Sequence, residues 1–354
     1  MGPRSKGRAS CLVTVRVSWW KVPPMIDRDR FEGCLLGLAL GDALGAPLEG
    51  GPLERLVWRL IGRTRQGEMR WTDDTQMSLD VAESLTEHGR IDPDDLARRF
   101  ADSYRWSWGY GPGAAKLLKC IKGGADWQEA NRSVFPDGSY GNGGAMRAAP
   151  IGLFFASRPR ELADAARRAA RVTHAHPLGE VGAVLVAAST ASAALGESRD
   201  AVLAAATRHC VLEDSSPEDS APKDSAPKDS PQENCAKDPF RSRLELAKQW
   251  FDSGDAPSAQ LIRQHLGNGI ATTESCVTAI YCALRFAEEP FLEMQNFIAS
   301  VGGDVDTIGA MAGAVWGAAN GARRLPPEPL AKLEQRERLV TVAAELHGKC
   351  GEEA

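Results

Sequence analysis

Residues 31–50 read FEGCLLGLALGDALGAPLEG, and this stretch decides the fold. Its glycines recur every fourth residue. They are Gly33, Gly37, Gly41 and Gly45. On an α-helix this spacing drifts only slowly around one face, and a face without side chains lets a neighbouring helix come very close. Pro47 ends the predicted helix and leaves Glu49 on a loop. Residues 308–320 are again rich in glycine and alanine, with glycines at the same spacing.

The rest of the chain also has the spacing or the composition of helices, and it contains no convincing alternating strand. Helices are predicted over residues 27–50, 75–87, 93–106, 160–171, 178–196, from 242 onward, 273–287, 291–300 and 308–320. Residues 107–113 and 136–144 are rich in glycine and are predicted to be loops. The fold class is therefore predicted to be all-α and compact, with short loops that carry the chemistry.

Composition sets the broad class of protein. The 354 residues are 43% hydrophobic and 25% charged, which is ordinary for a soluble globular protein. The net charge of -5 argues against general nucleic-acid binding. The eight cysteines form no CxxC pair and no zinc-ligand spacing, which is typical of reduced thiols in an intracellular compartment. We expect a monomer in the cytoplasm, with a nuclear or organellar protein as the alternative. Asp42 interrupts the first apolar run, which is too short to predict a membrane span.

One domain is predicted over residues 25–350, with two segments of different character. Residues 1–24 are basic and apolar without an acid, and we interpret them as a leader or disordered extension. A dispensable leader before a start at Met25 and an organelle transit peptide are the two alternatives. Residues 213–235 repeat Ser-Ala-Pro-Lys-Asp and hold almost nothing apolar, which predicts a disordered insertion within the domain, or a phosphorylated segment.

Two acidic clusters lie far apart in the sequence. They are Thr72-Asp73-Asp74-Thr75 and Asp304-Val305-Asp306-Thr307. Crowded carboxylates repel one another, so one of them takes up a proton or a cation bridges them. Oxygen-only ligand sets suit hard divalent ions such as Mg²⁺ or Mn²⁺. Each cluster alone is explained by helix capping, with Asp73 or Asp74 as the cap, but a cap needs only one oxygen. Together the clusters predict a site for one or two metal ions, if folding brings them together.

Other polar groups are candidates for the same site. Glu49 is either a solvated loop residue or a mobile carboxylate that closes over the metals. The glycine-rich loops at residues 137–144 and 108–113 are either plain turns or wrap a pyrophosphate with their amides. His174 lies between two helical stretches and is either structural or on the substrate side. No Walker A, GxGxxG or GxSxG motif accompanies them.

The acidic clusters and glycine-rich loops, in their order along the chain, resemble those of the ADP-ribosylglycohydrolase family, named for the dinitrogenase reductase-activating glycohydrolase. The resemblance runs from about Asp27 to Gly348 and excludes the insertion. It rests on GDALGAPLE (41–49), WTDDTQM (71–77), GYGPG (109–113), GSYGNGGAMRAAP (138–150), THAHPLG (173–179), LGNGIATTES (266–275) and GGDVDTIGAMAGA (302–314). The fourth and sixth motifs are most similar to the vertebrate ADP-ribosylhydrolase 3 branch. That branch removes ADP-ribose from serine, trims poly(ADP-ribose) and can hydrolyse O-acetyl-ADP-ribose.

The resemblance implies a compact, orthogonal bundle of helices with two Mg²⁺ ions, or Mn²⁺, in a loop-lined cleft. The implied metal ligands are Thr72, Asp73, Asp74, Asp304, Asp306 and Thr307. Glu49 matches a flap glutamate near the scissile bond. The implied substrate contacts are Gly111, Phe135, Ser139, Tyr140, Gly141, Asn142 and His174, of which Phe135 and Tyr140 would stack on adenine or ribose. Val305 departs from the small or hydroxylated residue usual at its position, and its side chain is expected to point away from the metals.

The implied function is magnesium-dependent release of ADP-ribose from serine on modified proteins. In the hypothesis, Asp304 is the base for the attacking water and Glu49 the acid for the departing oxygen, or these roles are exchanged. An arginine-linked ADP-ribosylhydrolase and a non-catalytic relative similar to eye-lens crystallins are the alternatives. A metal-dependent phosphoesterase is a third, and it would release phosphate. The expected partner is the ADP-ribose moiety of modified proteins, with no nucleic acid and no membrane.

Overall fold

The structure, a computed structural model, describes residues 26–208 and 238–353. The predicted leader at residues 1–24 and the predicted insertion at 213–235 lie outside the described residues, so both remain predictions. Within the described ranges there are seventeen α-helices and no β-strand, only isolated bridges such as that between Gly141 and Ala271. The all-α prediction is confirmed.

Within residues 26–208 and within residues 238–353 the α-helices follow one another through loops, four of which contain a 3₁₀ turn. In chain order they are α1 (Arg28–Gly45), α2 (Pro52–Ile61), α3 (Asp73–His88), α4 (Pro93–Ser103), α5 (Pro112–Lys122), α6 (Trp127–Val134), α7 (Ala149–Phe154), α8 (Pro159–Arg171), α9 (Pro177–Ala194), α10 (Arg199–Arg208), α11 (Pro239–Ser253), α12 (Ala259–His265), α13 (Thr272–Arg285), α14 (Phe291–Val301), α15 (Val305–Asn320), α16 (Pro327–Leu330) and α17 (Arg336–Glu353). The 3₁₀ turns are Ala46–Leu48, Trp106–Trp108, Asn142–Gly144 and Ala322–Arg324.

Helices α1 and α15 lie at the centre, and their two glycine series face each other. A Cβ built on Gly33 would lie 2.5 Å from the carbonyl oxygen of Gly317, and one built on Gly45 would lie 2.5 Å from the Cα of Asp306. Between these ends, Gly37 meets Gly313 and Gly41 meets Gly309. The two helices therefore run antiparallel with their backbones in contact. This register places the end of α1, and Glu49 after it, beside the beginning of α15.

The central helices are enclosed by the rest of the bundle. Helices α9 and α13 pack against α15, and α17 packs against α1. By length and composition, residues Arg28–Leu48 and Pro177–Ala194 are apolar enough to cross a membrane, but 78% and 89% of these stretches are buried inside the protein. Buried core helices can have the same length and apolar composition, so these two features alone do not indicate a membrane span.

The beginnings of α3 and α15 differ from the capping that the sequence suggests. The N-cap of α3 is Thr72, whose Oγ1 accepts a hydrogen bond from the amide of Asp74 at 3.4 Å, so neither Asp73 nor Asp74 is the cap. Asp304 occupies the N-cap position of α15, but its side chain accepts no capping hydrogen bond. Capping therefore does not account for these aspartates, and their carboxylates are free to face one another.

The predicted helix at residues 93–106 is also shorter than expected. It ends at Ser103, because Tyr104 is extended and residues 106–108 form a separate 3₁₀ turn. That turn buries Trp108, whose ring lies 5.1 Å from that of Trp71. The loop that follows, Gly109 to Gly111, is thereby held against the beginning of α3.

Candidate active site

The two acidic clusters meet at the end of the α1–α15 pair. Thr307 Oγ1 donates a hydrogen bond to Asp74 Oδ2 at 3.4 Å, across 233 positions of sequence. The turn before α15 makes this approach: Gly302 and Gly303 have φ of 71° and 82°, a region that favours glycine. A side chain on Gly303 would also collide with Asn268. The structure thus brings the clusters together, as the sequence analysis required.

Five carboxylates form two groups that share one member. One carboxylate oxygen from each of Asp42, Asp74 and Asp306 lies within 4.8 Å of the other two, and the same holds for Glu49, Asp304 and Asp306. Asp306 belongs to both groups. A carboxylate has two oxygens, so a shared one suits a ligand that bridges two cations.

Burial and neighbouring negative charge raise the pKa of three of these acids, Asp74, Asp304 and Asp306. Burial, followed by neighbouring negative charge, raises the pKa of Asp74 and of Asp306 well above the usual range. Burial and then the charge of Glu49 raise the pKa of Asp304 to about 6. Such groups take up either protons or a cation at neutral pH.

The donor set fits divalent cations. Asp74 Oδ1 is buried and has no hydrogen-bond partner among the described residues, so one strong acceptor remains for a ligand. Its other oxygen, Oδ2, accepts hydrogen bonds from Thr72 Oγ1 at 2.9 Å and from Thr307. All of the converging atoms are carboxylate or hydroxyl oxygens, which Mg²⁺ and Mn²⁺ prefer. The residues can therefore hold one or two such ions.

Asp42 belongs to this site, although from the sequence it was named only as an interruption of an apolar run and as part of the motif at residues 41–49, with no role of its own. Its carboxylate accepts hydrogen bonds from the amides of Thr72 and Thr75, at 2.9 Å and 3.1 Å, and from Thr75 Oγ1 at 2.5 Å. Burial raises the pKa of Asp42 to about 6, while these hydrogen bonds act in the opposite direction. The signal that could have found it is a lone carboxylate inside an apolar, glycine-rich helix.

Asp73 is placed differently from its neighbour Asp74. It lines the same cleft, but its carboxylate belongs to neither of the two groups. Burial, followed by the charge of Asp42, raises its pKa well above the usual range. Its role as a metal ligand remains a prediction.

The acids form one wall of a cleft of about 290 Å³, and the glycine-rich loops form the other. Most of the predicted substrate contacts line it, namely Gly111, Phe135, Ser139, Gly141, Asn142 and His174. The side chain of Asn142 donates hydrogen bonds to Asp304 and to Ser275, and so ties the loop to the acids. Tyr140 is the exception: it is 57% exposed, and its ring lies against that of His176, 5.6 Å away.

A neutral histidine and a buried arginine support the second wall. Burial, and then the charge of Arg147, lower the pKa of His174 to about 3, so its imidazole is uncharged at neutral pH. Its Nδ1 lies 2.7 Å from the hydroxyl of Thr173. Arg147, which the sequence analysis missed as an individual residue, is 1% exposed and donates hydrogen bonds to the carbonyl of Gly143 and to Thr173. These hydrogen bonds hold the glycine-rich loop at residues 137–144 in place.

The sequence profile of the family described as ADP-ribosylglycohydrolase matches residues 23–354. The chain belongs to the ADP-ribosylglycohydrolase family. The resemblance seen in the sequence is confirmed, and this ADP-ribosylglycohydrolase is an enzyme of the glycohydrolase class.

Relatives and solved structures extend this result. Over 348 residues the chain is 34% identical to the protein named ADP-ribosylhydrolase ARH3 of Gallus gallus, with 90% of this chain and 92% of the relative covered. Its identity to ADP-ribosylhydrolase ARH3 of Homo sapiens is also 34%, over 345 residues, with 90% and 93% covered. A solved structure titled "ADP-ribosylglycohydrolase-related protein complex" matches this ADP-ribosylglycohydrolase with a TM-score of 0.63 at 27% identity, covering 91% of this chain and 98% of that one.

Proposed function

We propose that this protein is a magnesium-dependent hydrolase that releases ADP-ribose from serine-linked groups on modified proteins. The observation that carries the proposal is Asp306, which is shared by two groups of converging carboxylates at one wall of a loop-lined cleft. The relatives named ADP-ribosylhydrolase ARH3 support an ADP-ribosyl substrate. The similarity of GSYGNGGAMR, residues 138–147, to that branch supports serine as the acceptor.

The two carboxylate groups would each hold one cation. Asp42 and Asp74 would serve the first, Glu49 and Asp304 the second, and Asp306 both. Bound Mg²⁺ ions would orient the ribose hydroxyls of the substrate and offset negative charge at the reacting centre. The same oxygens suit Mn²⁺ as well.

Asp304 and Glu49 are the best placed of these acids to move protons. Asp304 lines the cleft, where its carboxylate would accept a proton from the attacking water and later return it. Asn142 donates a hydrogen bond to its Oδ2, which fixes the direction of the carboxylate. Glu49 is half-buried, follows the 3₁₀ turn after α1 and lines the same cleft, where it would give a proton to the oxygen of a departing serine. We assign Asp304 as the base for water and Glu49 as the acid for the leaving oxygen.

The second wall would receive the ADP-ribose. Phe135 packs over Gly113, because a Cβ at that glycine would lie 2.8 Å from the ring's Cε1. Its ring therefore offers an apolar surface to the adenine. His174 stays uncharged and gives the loop a polar edge without acting as an acid. The glycines at 111 and 141 allow the diphosphate to approach the backbone.

Release of ADP-ribose from matched peptides tests the proposal. Serine-linked and arginine-linked ADP-ribosyl peptides are incubated with the protein in Mg²⁺, in Mn²⁺ and in EDTA. We expect free ADP-ribose from the serine-linked peptide with either metal and none in EDTA. Preferential turnover of the arginine-linked peptide would mean that the acceptor residue is arginine and not serine. Release of phosphate, or tight binding of ADP-ribose without turnover, would refute the proposed reaction.

A further inference from the structure

A second cavity lies behind the loop that lines the catalytic cleft. Its volume is about 560 Å³, and Ser107 and Trp108 form one side of it. Gly109 and Gly111, which follow directly in the chain, line the catalytic cleft instead. One short loop therefore separates the two cavities.

Arginine dominates the lining of this second cavity. Five arginines contribute, namely Arg70, Arg98, Arg99, Arg105 and Arg338. Four acids contribute as well, namely Asp80, Glu83, Asp102 and Glu334. Arg98 and Arg99 also pair with Asp95, and Arg99 with Glu87, two acids outside the lining. Any preference of the cavity for anions therefore depends on arginines that have no such partner.

The arginines divide into those with carboxylate partners and those without. Arg338 and Arg99 pair with Glu83, at 2.7 Å and 3.8 Å. Arg98 lies 3.9 Å from Asp102. The guanidinium groups of Arg70 and Arg105 form no ion pair with a carboxylate in the described part of the chain. Two guanidinium groups are thus left to recognise a ligand.

Two buried atoms in the lining also lack partners. Arg70 Nε and Glu334 Oε2 are both buried, and neither has a hydrogen-bond partner among the described residues. One is a donor and the other an acceptor, so a ligand that carries both kinds of group satisfies them together. Inorganic anions supply mainly acceptors, whereas a nucleotide carries phosphate oxygens, ribose hydroxyls and a base.

An exposed aromatic residue lies in the chain between two lining residues, Arg105 and Ser107. Trp106 directly follows Arg105 in the chain and is 77% exposed. The guanidinium of Arg105 itself lies 5.2 Å from the ring centroid of Trp108. An exposed indole next in the chain to a guanidinium without an ion pair is a combination in which the indole stacks on a nucleobase and the guanidinium binds the phosphate.

We propose that this cavity is a second nucleotide-binding site, in which Arg70 and Arg105 bind phosphate and Trp106 stacks on the base. The nucleotide comes from one of two sources: a second ADP-ribose unit joined to the one in the catalytic cleft, or a free nucleotide. Only the first source rests on the proposed function. The single loop between the cavities puts both within reach of one substrate chain.

Fluorine NMR on protein labelled with 5-fluorotryptophan tests binding without using activity. The Trp106 resonance is assigned with Trp106→Phe, and ADP is the probe, in EDTA. We expect a saturable shift of that resonance.

R70Q/R105Q should weaken the apparent affinity at least about tenfold, because hydrogen bonds from charged donors are lost. The control R90Q removes an arginine whose side chain is 70% exposed and lies outside the cavity, and it should bind like the wild type. No saturable shift at millimolar ADP, or equal affinity in R70Q/R105Q and the wild type, would overturn the proposal.

Arg105 provides a safeguard against misfolding. Its side chain is exposed, so R105Q alone should keep the wild-type unfolding temperature and still weaken binding. Hydrolysis then identifies the source of the nucleotide. A KM that rises for ADP-ribose chains but not for a single ADP-ribosyl group on a peptide assigns the site to a second substrate unit. Equal KM values with the NMR shift intact assign it to a free nucleotide. If neither substrate is cleaved, the proposed function fails while the NMR result still decides the binding site.

Discussion

Replacing Asp306 with asparagine keeps the shape of the side chain and removes the charge that both carboxylate groups share. The amide of Thr307 donates a hydrogen bond to Asp306 Oδ1 at 2.8 Å, and asparagine retains an oxygen there. We therefore expect Asp306→Asn to fold. Without divalent cations it should be more stable than the wild type, and with Mg²⁺ the order should reverse.

The size of the effect follows from the separation of the carboxylates. At 4.8 Å, with an effective dielectric constant of about 20, two unit charges repel by about 3 kcal/mol. Protonation relieves part of this repulsion, so we expect a gain of about 1–2 kcal/mol at pH 8 in EDTA. The folded pKa of Asp306 is raised, so its penalty grows as pH rises above the unfolded value and disappears near pH 4. At a hundredfold excess over Kd, Mg²⁺ should add about 2.7 kcal/mol per site to the wild type.

Unfolding by urea in EDTA and in Mg²⁺ measures both effects, and ADP-ribose release measures activity. Asp164→Asn is the matched control, because its side chain is 66% exposed and lies away from the cleft. It should respond to Mg²⁺ like the wild type. Asp306→Asn should show no turnover and little stabilisation by Mg²⁺. Full stabilisation by Mg²⁺ together with near-normal release in this variant would refute the shared-ligand assignment.

Three further predictions concern the packing, a buried acid and the acid on the loop. Gly37→Ala directs a Cβ against the carbonyl of Gly313 and should lower the free energy of unfolding in urea by about 3 kcal/mol, at the upper end for overpacking. The control is Gly348→Ala, where a Cβ meets no other atom. It should raise the free energy of unfolding by about 1 kcal/mol or less in the same assay. Burial raises the pKa of Asp80 to about 7, so the wild type loses stability as pH rises from about 4 towards 7. Asp80→Asn should flatten that loss, gaining up to about 4 kcal/mol over the wild type at pH 8, and identical pH profiles would contradict the reasoning. Glu49→Gln should lower kcat for ADP-ribose release by about a hundredfold or more with a smaller change in KM, and a wild-type kcat would exclude Glu49 as the acid.

Local patterns predicted much of the fold. The recurrence of glycine at every fourth residue identified α1 and α15 as helices that another helix can approach closely, and in the structure they pack against each other. The helix predicted over residues 75–87 is α3, which spans Asp73–His88 and is followed by Gly89 with a φ of 66°. Its cap was assigned wrongly, because the sequence does not distinguish a threonine that caps from an aspartate beside it. Short helices such as α7, with only six residues, offered too few turns to show a period.

The candidate site was predicted less completely than the fold. Both acidic clusters were found, because each offers more carboxylate and hydroxyl oxygens than a helix cap needs. Asp42 was missed because no other acid is close to it in the sequence, the nearest being Glu32 and Glu49. Arg147 was missed because a sequence motif does not show which of its residues are buried. Tyr140 was placed on the substrate by resemblance, whereas here its ring is exposed beside His176.

Residue types and short spacings are properties of neighbouring positions, so the sequence by itself determined the helical class, the close-packing faces and the acids available for a metal. It could not determine which acids meet. Asp42, Asp74 and Asp306 come from α1, α3 and α15, and the distances between them depend on how three helices pack. Only the tertiary structure decided that Asp306 is shared, because a few ångströms between side chains result from contacts distributed over the whole bundle.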